Sequence, residues 1–222
     1  MAYLKHATNF PVLSADELAQ WEGIPAAVIT DCMNRTQSMV SAIKSLVPGR
    51  LILGQARTVS VMAGDCGCIC IAAADARPGE VIVVDAGGVE DTAVWGGVMT
   101  QAAVVAGLGG VVIDGAARDL ADIEDSPLAI YCRGVAPRGP HQGFGGDIDG
   151  TISAGGVAVA SGDLVIGDKD GVVVVPLARA NEVLAAARAH IEKEKVWIER
   201  IMNGETIPEI FEMHKPALSA SH

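Results

Sequence analysis

The residues best placed to do chemistry form one short stretch, Val112-Ile-Asp114-Gly-Ala-Ala-Arg118-Asp119-Leu-Ala-Asp122. An apolar run ends on an acid, Gly115 reads as a turn, and an Arg-Asp pair opens a short helix from Asp119 to Asp125. The junction between a buried strand and a helix is where α/β domains place their ligands. Arginine offers a planar fork of donors that matches a carboxylate. Aspartate is a hard oxygen ligand suited to Mg²⁺ or Mn²⁺. Asp122 stands three residues after Asp119, one helical turn on and on the same face. Spacing alone leaves a second reading open, a capped helix with a surface ion pair.

Other clusters point to less. On a helix, alternate members of Cys66-x-Cys68-x-Cys70 would point about 200° apart, and zinc thiolates usually leave two or more residues between them. The three therefore read as small buried cysteines. Asp168-Lys-Asp170-Gly171 resembles the start of a calcium loop but lacks the downstream glutamate, so it reads as a turn. The histidines (His6, His141, His190, His214, His222) are scattered, and none pairs at ligand spacing. There is no phosphate loop, no H-E-x-x-H and no G-x-S-x-G elbow. Gly107, Gly109 and Gly110 precede a strand instead of following one, so they make no dinucleotide fingerprint.

The elements that must position Arg118 and its neighbours follow from composition and pattern. The chain has 222 residues, is 50% apolar and 19% charged, and carries 26 glycines and a net charge of -11. A disordered chain would be poorer in aliphatics. Acids outnumber bases 27 to 16, too few bases for a nucleic-acid face built on counterion release. The odd count of five cysteines, three of them crowded together, is a poor disulfide framework and points to a cytoplasmic address. The first ten residues lack the apolar stretch of a signal peptide. Thr92 to Ile113 is 22 residues without a formal charge, long enough to span a bilayer. Its five glycines and Gln101 make it instead two buried elements joined at Gly107-Leu-Gly-Gly110.

Ser14-Ala-Asp-Glu17 is a capping box that opens a short helix. A second helix is expected over Ile24 to Asn34, with Pro25 in its first turn. Gly54 to Met62 alternates as a strand. Asp65 would cap a helix running to about Ala76. The strand Glu80 to Asp85, a helix across Val94 to Ala106 and the strand Gly110 to Asp114 follow. Tyr131 to Val135 is short and extended, and Pro137 to Gly156 is loop-like. Leu164 to Gly167 and Gly171 to Val175 pair around the Asp168–Gly171 turn. Leu177 to Asn203 is a long amphipathic helix, and the tail after Pro208 is peripheral. The β-α-β-α-β-α order predicts a layered α/β domain. One domain is expected over 1–222, with N-terminal helices in 14–35, a core in 50–176 and the C-terminal helix at about 177–203.

Trp95-Gly-Gly-Val-Met99, the spacing Gly97-x20-Arg118-Asp119-x2-Asp122, Ser161-Gly-Asp-Leu-Val165 and Asp168-x-Asp-Gly-Val172 through Pro176 resemble the RraA-like family. That family unites relatives of the regulator of ribonuclease activity A with class II pyruvate aldolases. The resemblance covers roughly Ala26 to Gly204. It implies a swivelling β/β/α fold, assembled as a trimer or a dimer of trimers. It also implies a Mg²⁺- or Mn²⁺-dependent aldolase that cleaves 4-hydroxy-4-methyl-2-oxoglutarate-type 2-oxo acids to pyruvate. Oxaloacetate decarboxylation, through the same enolate, is the implied companion activity.

By position, the resemblance makes Arg118 the clamp on the pyruvate carboxylate and Asp119 the protein ligand of the cation. Asp122 would orient a water on that cation, and the amides of Gly97, Val98 and Met99 would help hold the carboxylate. Glu194 matches a glutamate that a neighbouring subunit contributes. Some aldolases carry an acid where this chain has Gly97. A Schiff-base route needs an activated, buried lysine, and the lysines here stand in polar or terminal stretches. The alternative within the family is a non-catalytic regulator that binds and inhibits a ribonuclease, and the intact Arg118-Asp119-x2-Asp122 set argues against it. The expected partners are a small 2-oxo acid and further copies of the chain, with no nucleic acid and no membrane.

Overall fold

The computed structural model describes residues 3–217; Met1, Ala2 and residues 218–222, His222 among them, lie outside the described residues. In chain order the strands are β1 (Tyr3–Lys5), β2 (Lys44–Ser45), β3 (Ile52–Val61), β4 (Val81–Asp85), β5 (Ala93–Trp95), β6 (Gly110–Ala117), β7 (Ile130–Val135), β8 (Gly146–Ile148), β9 (Ile152–Ala154), β10 (Val157–Val159), β11 (Leu164–Gly167) and β12 (Val172–Val175). The helices are α1 (Ala15–Ala19), α2 (Ala26–Cys32), α3 (Gly67–Asp75), α4 (Gly97–Val105), α5 (Leu120–Asp125), α6 (Ala180–Met202) and α7 (Ile207–Ile210).

The central strands β3, β4, β6 and β7 run parallel in that spatial order. Side chains along a strand alternate between faces, and here each face has its own core. Ile82, Val84, Val111 and Ile113 point to the layer of α3, α4 and α5. Val81, Val83 and Val112 point the other way, onto β11, β12 and the β9–β10 hairpin. The β11–β12 hairpin repeats the device. Val165, Val172 and Val174 face the central sheet, while Leu164, Ile166, Val173 and Val175 face α2 and α6. The result is a layered β/β/α architecture in which β4, β6, β11 and β12 are apolar on both sides, as strands buried between layers must be.

Long β3 ties the layers together. Its first half, Ile52 to Gln55, pairs antiparallel with β11, and its last residues, Val59 to Val61, pair antiparallel with β8. At the middle of that strand, Arg57 is 8% exposed. Its Nε donates to Glu80 Oε2 at 3.0 Å and its Nη1 to Asp149 Oδ2 at 2.8 Å. Asp149 also accepts the Ser161 hydroxyl at 2.9 Å. This network joins β3 to the loops before β4 and after β8.

Several expected elements stand as read. The Ser14–Glu17 capping box opens α1, the Asp168–Gly171 turn closes an antiparallel hairpin, and α6 runs 23 residues to Met202. Four differ. Residues 93–95 are a strand alongside the end of β6, so the helix starts at Gly97 and not at Val94. Gly115 does not turn the chain. It lies inside β6, which continues to Ala117 through a shift in register against β7. A Cβ at that position would stand 2.9 Å from the Ala86 Cβ, so glycine is there for close packing. The stretch read as loop from Pro137 contains β8 and β9. Cys66, not Asp65, is the first residue flanking α3; Asp65 instead accepts the Gly67 N–H at 2.8 Å and the Phe144 N–H at 2.9 Å.

Removing Arg57 would strand two buried carboxylates. Arg57→Ala is expected to cost about 3–5 kcal/mol of unfolding free energy, read by urea denaturation. Burial alone would raise the Glu80 pKa, but the Arg77 amide and the Arg57 and Arg77 guanidinium groups outweigh it and hold the carboxyl below its ordinary 4.5. A lowered folded-state pKa means stability that is full above that ordinary value and lost as pH falls below it. The wild-type protein should therefore lose stability below about pH 4.5, and Glu80→Gln should flatten that slope.

Candidate active site

Two strand-to-helix turns meet side by side. β5 and the end of β6 are parallel neighbours, with Trp95 opposite Ala117. After β5 the chain turns at Gly96 into α4, and after β6 it passes Arg118 and Asp119 into α5. The Arg118 N–H donates to the Trp95 carbonyl at 2.9 Å, which fixes the two turns in register. Trp95 is the anchor. It is 1% exposed, and its indole N–H donates to Thr100 Oγ1 at 2.9 Å, one turn into α4.

Asp119 is left-handed, with φ 58° and ψ 49°, and makes no cap on its own helix. Among non-glycine residues aspartate is one of the few that visits this region, at a cost of about 1–3 kcal/mol that is typical of functional sites. Its carboxylate is thereby aimed at the neighbouring helix, where Oδ2 accepts the Gly97 N–H at 3.0 Å. A carboxylate at a helix start meets unpaired N–H groups and the positive end of the helix dipole. Arg118 Nε lies 3.5 Å from the same Oδ2, and both side chains are 42% exposed.

Three glycines make this approach possible. A Cβ at Gly96 would stand 2.6 Å from Asp119 Oδ2 and 3.1 Å from Arg118 Cγ. At Gly97 it would stand 2.3 Å from Asp122 Oδ2, and at Gly139 2.3 Å from an Arg118 Nη. Gly96 and Gly97 do not have positive φ; they are glycine because polar side chains lie against the backbone. Arg118, Asp119 and Asp122 thus converge on the first turn of α4, where Gly97, Val98 and Met99 also stand.

Arg118 and Asp119 line a cavity of about 330 Å³ with Cys66, Cys70, Val98, Met99 and Gln142. The loop carrying Gln142 is sewn to α3: His141 N–H donates to Gly64 O at 2.7 Å, and Cys66 N–H donates to His141 O at 3.0 Å. Of the cysteines read as buried, Cys66 and Cys68 are so, but Cys70 is exposed. Gly139, Gln142, Cys66 and Cys70 are site residues that the sequence reading did not find. The Cys66–Cys70 spacing of four carried the signal, because residues four apart share a helix face; the Gly139–Gln142 loop carries no periodicity at all.

Glu194 is not brought to this cavity within one chain. It lies on α6, which packs against α2 and α7 on the far side of the second β layer, and it pairs with His190 Nε2 at 3.4 Å. Among the described residues no three His, Cys, Asp or Glu side chains cluster as metal ligands. A hard cation at Asp119 would therefore take one or two carboxylates from this chain, with water and ligand oxygens completing its shell. That fits Mg²⁺, which keeps several waters. Asp119 is suited to it, for its Oδ2 is engaged while its Oδ1 accepts no hydrogen bond among the described residues. No helix among the described residues is long and apolar enough to cross a membrane.

This fold and this pair of turns define a class. The RraA-like model (Aldolase/RraA) matches residues 26–174. A candidate 4-hydroxy-4-methyl-2-oxoglutarate aldolase from Halalkalibacterium halodurans is 36% identical over 173 residues, covering 78% of this chain and 82% of that one. A solved structure of an uncharacterized protein from Pseudomonas syringae pv. tomato superposes with a TM-score of 0.79 at 27% identity, covering 94% and 99% of the two chains. An unusual member of the RNase ES inhibitor RraA protein family from Streptomyces coelicolor superposes at 0.75 and 26% identity, covering 85% and 98%. The chain belongs to the RraA-like family.

Gly97→Ala tests the convergence. Its backbone conformation accepts alanine, so the melting temperature should move by no more than about 4 °C, the equivalent of roughly 1 kcal/mol. The new methyl should displace the Asp122 carboxylate, visible in a crystal structure of the variant. An Asp122 carboxylate left in place would show that the α4 turn and α5 do not meet as closely as this.

Proposed function

We propose that this chain is a class II pyruvate aldolase acting on 4-hydroxy-2-oxo acids of the 4-hydroxy-4-methyl-2-oxoglutarate type, with oxaloacetate decarboxylation as a companion activity. The observation that carries the reading is the convergence of Arg118, Asp119 and Asp122 on the amide-bearing start of α4. The aldolase name of the Halalkalibacterium halodurans relative supports it.

In this reading Arg118 clamps the substrate carboxylate with its fork of donors, helped by the amides of Gly97, Val98 and Met99 at the helix start. Asp119 holds Mg²⁺ or Mn²⁺, which when bound supplies a Lewis acid at the 2-oxo group. Asp122 positions the water that takes the proton from the C4 hydroxyl. As that proton leaves, the C3–C4 bond breaks and its electron pair enters a pyruvate enolate, which is then protonated at C3. With oxaloacetate the departing group is CO₂, and the same enolate results. The cavity's small size, about 330 Å³, is at the lower end for ligand pockets and matches a short acid.

We also propose that the working form is a trimer or a dimer of trimers, in which a neighbouring α6 brings Glu194 to the cavity. Support comes from α4, whose Val98, in the cavity wall, and Val105, at the far end of the helix, are 86% and 89% exposed. The end of α6 likewise exposes Ile198 and Met202. Exposed apolar side chains grouped this way mark surfaces that another chain covers.

The second reading is a ribonuclease inhibitor, favoured by the likeness to the Streptomyces coelicolor protein. One experiment separates the two. Pyruvate release from 4-hydroxy-4-methyl-2-oxoglutarate should stop with EDTA and return with Mg²⁺. Arg118→Ala should lower kcat/KM at least a thousandfold, a loss of about 4 kcal/mol of transition-state stabilisation. Capture of a ribonuclease together with no metal-dependent release from any 2-oxo acid would reverse the choice. Glu194→Gln should lower kcat while light scattering still shows an oligomer, and an active wild-type monomer would remove Glu194 from the site.

A further inference from the structure

Two cavity residues have no part in the proposed chemistry. Cys66 flanks the start of α3 and Cys70 lies in its first turn, and both line the cavity that holds Arg118 and Asp119. The Cys70 N–H donates to the Cys66 carbonyl at 3.0 Å, so the two stand four apart on one helical face. Cα atoms in that relation are about 6 Å apart, inside the span that a disulfide bridges, and the Cβ atoms, about 5–6 Å apart on a regular helix, draw together to about 4 Å when the bond forms. Beyond burial, the Cys66 thiol responds to both neighbours, Cys70 raising its pKa and Gln142 lowering it. Cys70 is exposed, while Cys66 is buried. Cys68, the cysteine between them, is fully buried in the core and does not line the cavity.

We propose that Cys66 and Cys70 are a reversible oxidation site, closing to a disulfide in the cavity wall with a hydroperoxide as oxidant. The accessible thiol, Cys70, attacks the peroxide; the O–O bond breaks, an alcohol or water leaves, and Cys70 becomes a sulfenic acid. The Cys66 sulfur then attacks that sulfenic sulfur. The S–S bond forms, the S–O bond breaks and water departs with the two thiol protons accounted for. The two electrons that reduce the peroxide come from the sulfur pair. Burial, and next the nearby Cys70, push the Cys66 thiol up to about 11, which leaves the exposed Cys70 as the thiol that a peroxide meets first. The bond also takes the Cys66 sulfur away from Gln142, whose loop is tied to α3 through His141 and Asp65. Oxidation therefore reaches the cavity wall directly.

Bond formation does not depend on what the cavity binds; its effect on turnover rests on the aldolase reading. The full chain treated with hydrogen peroxide should lose two hydrogens by mass spectrometry, located in the segment containing Cys66, Cys68 and Cys70. It should lose two of its five titratable thiols, and dithiothreitol should restore both. Cys70→Ser should abolish the loss of two hydrogens. Gain of oxygen without loss of hydrogen, or a loss that persists in Cys70→Ser, would overturn the site. Pyruvate release should fall at least fivefold on oxidation and recover on reduction; full turnover with the disulfide complete would overturn the effect on the cavity. A reduced protein with no pyruvate release would defeat the aldolase reading and leave the mass result standing.

Discussion

Everything distinctive in this molecule depends on two helix-entry turns lying closer together than side chains normally permit. With a Cβ at Gly96 or Gly97 the carboxylates of Asp119 and Asp122 would be forced off α4, and with one at Gly139 Arg118 would lose its place. The left-handed backbone at Asp119 completes the constraint, because only that conformation turns its carboxylate onto the neighbouring helix and not onto its own. The strain is held by what surrounds it: a fully buried β6, the Trp95 anchor and the Arg118-to-Trp95 hydrogen bond. Such over-determination is what allows a costly backbone conformation to persist.

The layers explain why the site is where it is and why Glu194 is elsewhere. A parallel sheet must return each strand through a helix, and the right-handed crossovers place α3, α4 and α5 on one face. Their starts gather at the carboxyl ends of the strands, so the side chains that follow β5 and β6 meet there. The other face is closed by β9 to β12, and only beyond that layer does α6 bury its Val183, Leu184 and Ala187, in one core with Val28 and Ile29 of α2 and Leu164 and Val173 of the hairpin. Within one chain, Glu194 on α6 therefore stays away from the cavity beside α4.

Much of the fold was legible because its long elements carry strong patterns. The valine-rich strands and the α6 stripe read directly, as did the capping box at Ser14. What escaped is short or lacks periodicity. β5 is three apolar residues ahead of an apolar helix, and nothing local separates Ala-Val-Trp from the helix that follows; its pairing with β6, a tertiary contact, decides the matter. β8 and β9 are three residues each in a glycine-rich stretch and exist because β3 and β10 offer edges to pair with. The Arg118-Asp119-x2-Asp122 core of the site was visible in the chain as a spacing. Gly139 and Gln142 were not, because a residue that matters by allowing or meeting a distant side chain leaves no mark on its neighbours.

The same layering accounts for the scarcity of aromatics, and the net charge of -11 is compatible with a cavity lined by Arg118. Three cores are stacked between the layers, one between strands and two between strands and helices, and each gap is filled from two sides mainly by valine, isoleucine and alanine. Large rings enter the cores at three places: Trp21 in the layer of α2 and α6, Trp95 beneath the α4 turn, and Tyr131, whose hydroxyl donates to the Arg50 carbonyl at 2.7 Å. The acidic surplus is spread over the surface, where salt screens it within about 8 Å. The cavity wall carries both signs: the Arg118 guanidinium and the start of α4 favour an anion, while Asp119, 3.5 Å from Arg118 Nε, favours a cation. Asp122, against Gly97, adds to the negative side. An anion and a cation bound together satisfy both, and neither alone neutralises the cavity, so affinity for each should depend on the other.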